Sequence, residues 1–126
     1  MIINLTQHAA SDEQISAGVV DLTGDAREVL IKELTFVGLP TKEEIRSRAA
    51  RIAHLVSGRS VINGAPATKV RGAMIGGAPY LMADLEGELV WFGIYPMYAF
   101  SERKSVEKNG VKTSVFKHLG FIEIVI

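Results

Sequence analysis

Short apolar runs alternate with helix-type periodicities along this chain, and this alternation restricts the possible folds more than any other feature. Apolar runs at residues 2–5, 19–22, 70–75 and 94–100 have the length of buried strands. The segments between them carry apolar residues three and four positions apart, as on one face of a helix. Strands that alternate with helices form a mainly parallel sheet with helices packed on its faces.

Capping sequences mark the starts of the predicted helices. Three residue pairs have capping-type spacing: Ser11 with Gln14, Asp25 with Glu28, and Thr41 with Glu44. Pro79 begins a further helix, because proline is favoured in the first turn. The buried stripe of that helix is predicted to contain Leu81, Leu85, Leu89 and Phe92. Residues 58–69 are predicted to be a loop, with a turn at Asn63-Gly64.

The C-terminal part is predicted to add antiparallel strands to the sheet. Asn109-Gly110 is a two-residue hairpin signal. Its arms are expected at residues 106–108 and 111–116, followed by a last strand at residues 121–126. The predicted fold class is α/β: one small, Rossmann-like, three-layer domain spanning the 126 residues, with a mainly parallel sheet and a C-terminal antiparallel hairpin.

Composition excludes several classes of function. The chain has 14 Lys and Arg against 14 Asp and Glu, and this neutral balance argues against binding to duplex nucleic acid. Cysteine is absent, which excludes disulfides and thiol chemistry and fits a cytoplasmic location. No stretch approaches the ~18 apolar residues of a membrane span. The three histidines lack the spacing of metal ligands, so neither a metal nor another cofactor is predicted.

Polar or glycine-rich segments follow three predicted strands. They are Thr6, Gln7 and His8; Gly76 and Gly77; and Ser101, Glu102, Arg103 and Lys104. Ligands of open α/β sheets bind at the carboxyl ends of the strands, so these segments are predicted to form one rim. Backbone amides beside Gly77 and the guanidinium of Arg103 would bind phosphate oxygens, and His8 or His118 would move a proton.

Each of these features also has an interpretation without a ligand. The two glycines are equally those of a plain strand-to-helix turn, and the lysines of residues 101–118 those of a solvated hairpin. His8 and His118 are alternatively hydrogen-bonding loop residues. Gly87, Val90 and Trp91 face away from the leucine stripe, which predicts either a homodimer through the Trp91 face or contact of Trp91 with its own chain.

Four segments resemble a family of small uncharacterised bacterial and phage proteins: NLTQH at 4–8, MIGGAPYLM at 74–82, YAFSERKSV at 98–106 and FKHLGF at 116–121. The opening motif and the Rossmann-like plan are also similar to CRISPR-associated Rossmann-fold domains, some of which bind cyclic oligoadenylates and, as ring nucleases, cleave them. That resemblance implies a phosphodiester surrounded by the candidate residues Thr6, Gln7, His8, Ser101, Arg103, Lys104 and His118. Asn4, within the same opening motif, completes the set of candidate ligand-binding residues.

The leading hypothesis is a site for a phosphorylated small molecule or cyclic oligonucleotide at the strand-end rim. If the protein is an enzyme, metal-independent phosphodiester cleavage is the expected reaction. The alternative is a non-enzymatic phage or host interaction protein that acts through the Trp91 face or the basic hairpin. A third possibility is hydrolysis or transfer on an unrelated nucleotide or sugar at the same rim.

Overall fold

A computed structural model describes residues 1–57, 61–66 and 70–125. The described helices are α1 Asp12–Ser16, α2 Gly24–Leu34, α3 Lys42–His54 and α4 Pro79–Trp91. The described strands are β1 Ile2–Asn4, β2 Val19–Asp21, β3 Val61–Ile62, β4 Ala65–Pro66, β5 Gly72–Met74, β6 Tyr95–Lys108 and β7 Val111–Glu123. None of the helices in these ranges is long and apolar enough to cross a membrane.

The main sheet has the strand order β2-β1-β5-β6-β7. Strands β2, β1, β5 and β6 pair in parallel, and β7 pairs antiparallel with β6. The sequence therefore predicts the class correctly: this is a mixed α/β fold with a mostly parallel sheet, consistent with a Rossmann-like plan. Pro96 is tolerated inside β6 because its backbone nitrogen, which has no hydrogen to donate, is on the β7 side, where β7 has just ended. The Pro96 carbonyl on the same side still accepts a hydrogen bond from the Ile124 amide.

Apolar side chains cover both faces of the sheet, but unequally. The larger cluster joins Ile3 and Ala73 of the sheet to the leucine stripe of α4 and to α2 and α3. The smaller cluster, on the other face, joins Ile2, Val19, Met74 and Met97, with Ala10 packed beside it. The connection from β1 to β2 therefore crosses one face, and the connection from β5 to β6 crosses the other.

Two of the three capping pairs act as caps. The Ser11 hydroxyl accepts from the Gln14 amide while the Gln14 side chain accepts from the Ser11 amide, so α1 has a complete capping box. The Thr41 hydroxyl accepts from the Glu44 amide at the start of α3.

The prediction of a cap at Asp25 is wrong. Helix α2 begins at Gly24 with Thr23 in the N-cap position and without a side-chain cap bond. The hydroxyl of Thr23 is instead bonded to Asn63 Oδ1 at 3.1 Å, so a tertiary contact has replaced the local one.

Two further predictions are corrected by the described residues. Asn63-Gly64 is the turn of a small antiparallel hairpin, β3–β4, rather than part of a structureless loop, and both turn residues have positive φ. The remaining parts of that loop, 58–60 and 67–69, lie outside the described residues. Phe92 is 47% exposed because α4 ends at Trp91 and Phe92 is its C-cap, outside the buried stripe.

The C-terminal hairpin is much longer than predicted. Residues 101–104 are not a loop, since β6 continues without interruption to Lys108 and pairs with β7 as far as Val111. No glycine or proline interrupts residues 101–108, and the Asn109-Gly110 turn holds the two strands together. We call residues 101–118 the ribbon: it extends beyond the sheet, and almost all of its residues are exposed.

A bulge separates the ribbon from the sheet. Phe100 pairs with Gly120, but the next residue, Ser101, pairs with His118, so Leu119 is the extra residue. The tight turn requires Lys108 to face Val111, and this register differs by one residue from the register in the sheet. The bulge absorbs that difference.

Candidate functional site

A cleft opens at the carboxyl ends of β1 and β5. The chain leaves β1 toward one face of the sheet and β5 toward the other, so the two following loops diverge and leave a gap between them. The gap has a volume of about 580 Å³, within the range of small-molecule sites. Its lining residues are Thr6, Gln7, His8, Ala9, Ser11, Gln14, Met74, Ile75, Gly76, Gly77, Tyr98 and Ala99.

Asn4 organises the loop on the β1 side of the cleft. Its side chain is fully buried, and its Nδ2 donates to the His8 carbonyl at 2.8 Å and to Asp21 Oδ1 at 2.7 Å. Its Oδ1 accepts from the Thr6 amide at 2.9 Å and lies 2.7 Å from the Thr6 hydroxyl. Because this amide is occupied by the protein itself, Asn4 shapes the cleft rather than facing a ligand.

Asp21 and Arg27 hold the same loop from the neighbouring elements. The Asp21 carboxylate, at the end of β2, accepts from the Ala10 amide at 3.1 Å as well as from Asn4. Arg27 Nη2 donates to the Gln7 carbonyl at 3.3 Å, and its Nη1 is buried without a partner among the described residues. Sequence reasoning missed Arg27, because its position on α2 gives no sign of contact with a loop 20 residues earlier.

The glycine turn Gly76-Gly77 forms part of the β5 side of the cleft. Gly77 has φ of 136°, a conformation that side chains other than hydrogen rarely allow. Helix α4 begins two residues later with Pro79 in its first turn, and no described side chain caps it. An uncapped helix start leaves backbone donors and the positive end of the helix dipole next to this glycine turn.

The cleft is neutral, with both apolar and hydrogen-bonding walls. Met74, Ile75 and Ala99 contribute apolar surface, while Thr6 and Gln7 contribute neutral polar groups. Among the described lining residues none is Lys, Arg, Asp or Glu. Such a lining suits a ring and its hydroxyl groups better than a free multivalent anion.

His8 and Tyr98 are the ionisable side chains that line the cleft. His8 is exposed, so its imidazole is accessible to a bound molecule. The Tyr98 hydroxyl donates to Glu86 Oε2 on α4 at 2.6 Å. Burial, followed by this hydrogen bond and the Glu86 charge, raises the pKa of Tyr98 well above its usual value. Tyr98 therefore stays protonated, and His8 is the exposed ionisable side chain among the described lining residues.

The predicted site residues other than Asn4 divide into two groups. Thr6, Gln7, His8, Gly76 and Gly77 line the cleft together. The others, Ser101, Arg103, Lys104 and His118, belong to the ribbon and are outside the cleft lining. Both ring nitrogens of His118 are buried without a hydrogen-bond partner among the described residues, and its ring packs 4.8 Å from that of Phe121.

Metal-ligand geometry is also absent from the described residues: they contain no group of three or more His, Cys, Asp or Glu side chains placed to hold an ion.

Comparison with known proteins assigns a family but no activity. The search of curated proteins finds no match, and neither does the search of solved structures. A family model described as the uncharacterized protein MJ1673 family matches residues 1–122. This match confirms the expectation of an uncharacterised family. Because the match extends over nearly the whole sequence, the chain belongs to the MJ1673 family.

Proposed function

We propose that the protein binds a phosphorylated, nucleotide-like small molecule in the cleft between the β1 and β5 loops. The observation that carries this proposal is the position of the cleft at the point where the connections diverge to opposite faces of the sheet. That point is where open α/β folds bind their ligands. We further propose that the domain has three layers, as in a Rossmann-like fold, with the short helix α1 as the layer beside the cleft.

The two sides of the cleft suit different parts of such a ligand. The amides at Gly77 and at the uncapped start of α4 would receive a phosphate group. The side chains of Thr6 and Gln7 would hydrogen-bond to a sugar or base, and Met74 would pack against the ring. Arg27 Nη1, which is buried close to the loop and has no partner among the described residues, would supply positive charge behind the site.

We also propose metal-independent phosphodiester cleavage in the same cleft, because the exposed His8 imidazole and the Gly77 turn line it together. His8 would accept the proton of the attacking ribose 2′-hydroxyl, and the Gly77 amide would stabilise the charge on phosphorus oxygens. Solvent would protonate the departing 5′-oxygen. A long ligand could reach from the cleft along the ribbon. Only such a ligand would contact the predicted site residues of the ribbon: Ser101, Arg103, Lys104 and His118.

The test is a binding and turnover panel with purified protein. Thermal shift and calorimetry with inorganic phosphate, AMP, ATP and cyclic oligoadenylates separate recognition of phosphate from recognition of a nucleotide. We expect binding of at least one nucleotide and at least tenfold weaker binding by Gln7→Ala, roughly the 1.4 kcal/mol of one hydrogen bond. His8→Ala is expected to abolish turnover, whereas His54→Ala, on α3, serves as the matched control. The proposal would be discarded if no compound of the panel gave either a thermal shift or turnover.

The alternative proposal, a phage or host interaction protein without a small ligand, has its own support. Trp91 is 84% exposed, which is unusual for so large an apolar side chain. This alternative expects Trp91→Ala to abolish function while His8→Ala and Arg103→Ala leave it intact. The two proposals therefore make opposite predictions for the same variants.

A further inference from the structure

We propose that two copies of this chain exchange their ribbons, each ribbon lying along helix α4 of the other copy. This inference concerns assembly and does not depend on whether the cleft binds a nucleotide. It starts from the ribbon, which has no core of its own. A two-stranded hairpin exposed on both faces is only marginally stable in water. Some surface is therefore expected to cover one face of it.

One face of the ribbon is apolar and basic. Directly paired residues share a face, and residues two apart along a strand do so as well. By this rule Val106, Val111 and Val115 lie on one face, and each is between 41% and 59% exposed. Lys104, Lys108 and Lys117 lie on the same face, with Glu102 as its acidic member. The opposite face carries Ser101, Arg103, Ser105, Glu107, Lys112, Ser114, Phe116 and His118.

Helix α4 presents the complementary surface. Ala83, Gly87 and Trp91 are exposed along one side of the helix, and a side-chain carbon added at Gly87 would meet nothing within 4 Å. By helical position, Asp84 and Glu88 flank this stripe on one side, and Glu86 flanks it on the other. The helix has these three acidic residues and no basic one.

Charge and length favour a second copy as the partner. The ribbon has five basic and two acidic residues, a net charge of +3, and α4 has a net charge of −3. Eight paired residues give the ribbon a length of about 26 Å at ~3.3 Å per residue. The 13 residues of α4 extend about 20 Å at ~1.5 Å per residue. One molecule therefore carries both halves of a matching pair of surfaces.

The position of the two surfaces permits a closed dimer. The ribbon leaves the sheet at the edge where α4 begins. If a second copy faces that edge across a two-fold axis, its α4 starts beside the root of the first ribbon and runs in the direction in which the ribbon extends. The same contact then forms twice, which closes the assembly at two subunits.

Paired charge reversals test this arrangement. Native protein is expected to sediment at twice the 13.7 kDa mass of the chain. Lys104→Glu with Lys108→Glu should give a monomer, as should Asp84→Lys with Glu88→Lys. A mixture of the two variants should form a heterodimer, because both of its contacts are again complementary. Arg103→Glu with Lys112→Glu, which makes the same charge change on the opposite ribbon face, is the matched control and should remain dimeric.

Carboxylate–lysine crosslinking provides a second measurement. With mixed light- and heavy-isotope protein, interchain links between ribbon lysines and α4 carboxylates are expected. A native protein that is monomeric at every concentration would overturn the proposal. This holds even if the basic ribbon then proves to bind another partner, such as single-stranded RNA. A dimer that survives both charge reversals, or variants that stay monomeric when mixed, would also overturn it.

Discussion

The cleft loop and the ribbon both extend from the carboxyl edge of the sheet, but they are held in place by opposite means. The loop after β1 depends on one buried amide, Asn4, which bonds to Asp21 at the end of β2 and to Thr6 and His8 of the loop itself. The ribbon depends on backbone pairing and its turn, with nearly all of its side chains exposed. Order in the first region is therefore concentrated in a few side chains, whereas in the second it is spread along the backbone.

The largest effect is expected from Asn4→Ala. The substitution removes the two hydrogen bonds donated by Asn4 Nδ2 and the two that Asn4 Oδ1 accepts from Thr6, and burial prevents full compensation by water. We expect a loss of about 3 kcal/mol in the free energy of unfolding, measured by urea denaturation. Gln7→Ala removes an amide from the exposed side of the same loop and should cost less than about 0.5 kcal/mol. Equal losses would show that the loop does not depend on Asn4.

A smaller loss is expected from Gly72→Ala in the centre of the sheet. The added carbon would lie 2.5 Å from Met97 Cε and 2.8 Å from the Tyr95 carbonyl oxygen. The methionine can move but the strand carbonyl cannot, so about 2 kcal/mol should be lost in urea denaturation. Gly76→Ala is the control, since its nearest neighbour, Thr6 Cγ2, is 3.7 Å away. A neutral Gly72→Ala would contradict the tight packing between β5 and β6.

The next effect depends on pH and concerns the base of the ribbon. Because the pKa of Tyr98 is raised in the folded protein, the unfolded chain loses this proton first as the pH rises. The contribution of protonated Tyr98 to the free energy of unfolding is complete below pH about 10, the usual pKa of tyrosine, and declines above that pH. Tyr98→Phe should therefore make the decline in unfolding free energy above that pH shallower. Parallel pH profiles for the two proteins would refute this role for the Glu86 contact.

The smallest effect is expected within the ribbon itself. Phe116 is 70% exposed and lies on the face opposite to the valines, so Phe116→Ser removes little buried surface. The free energy of unfolding should change by less than about 0.5 kcal/mol, and the dimer should persist. A loss comparable to that of Asn4→Ala would mean that this face is covered, which would remove the contrast between the two regions.

Sequence patterns predicted the features that depend on near neighbours. The capping box at Ser11 and the turn at Asn109-Gly110 need only a few adjacent residues, and both are present in the structure. The parallel sheet followed from the order of apolar runs. The end of β6 was placed too early, because an exposed strand has no buried face and therefore no alternation to detect.

Tertiary partners explain the remaining differences at the site. The role of Asn4 as an organiser requires Asp21, 17 residues later, and the contact of Arg27 with Gln7 spans 20 residues. Neither pairing leaves a pattern in one sequence. Gly76 and Gly77 do line the cleft, and a strand followed by a helix constrains where such a turn lies.

The extra residue at Leu119 has a consequence for how this hairpin tolerates changes in length. It reverses the in-and-out phase of β7, which brings Val111 and Val115 to the same side as Val106. Deleting one residue between Val111 and His118 would exchange the faces of the residues between the deletion and the bulge, whereas deleting Leu119 itself would leave every pair in place. Residues added or removed as opposite pairs would preserve the phase. Substitutions in the hairpin should thus be tolerated more readily than single insertions or deletions.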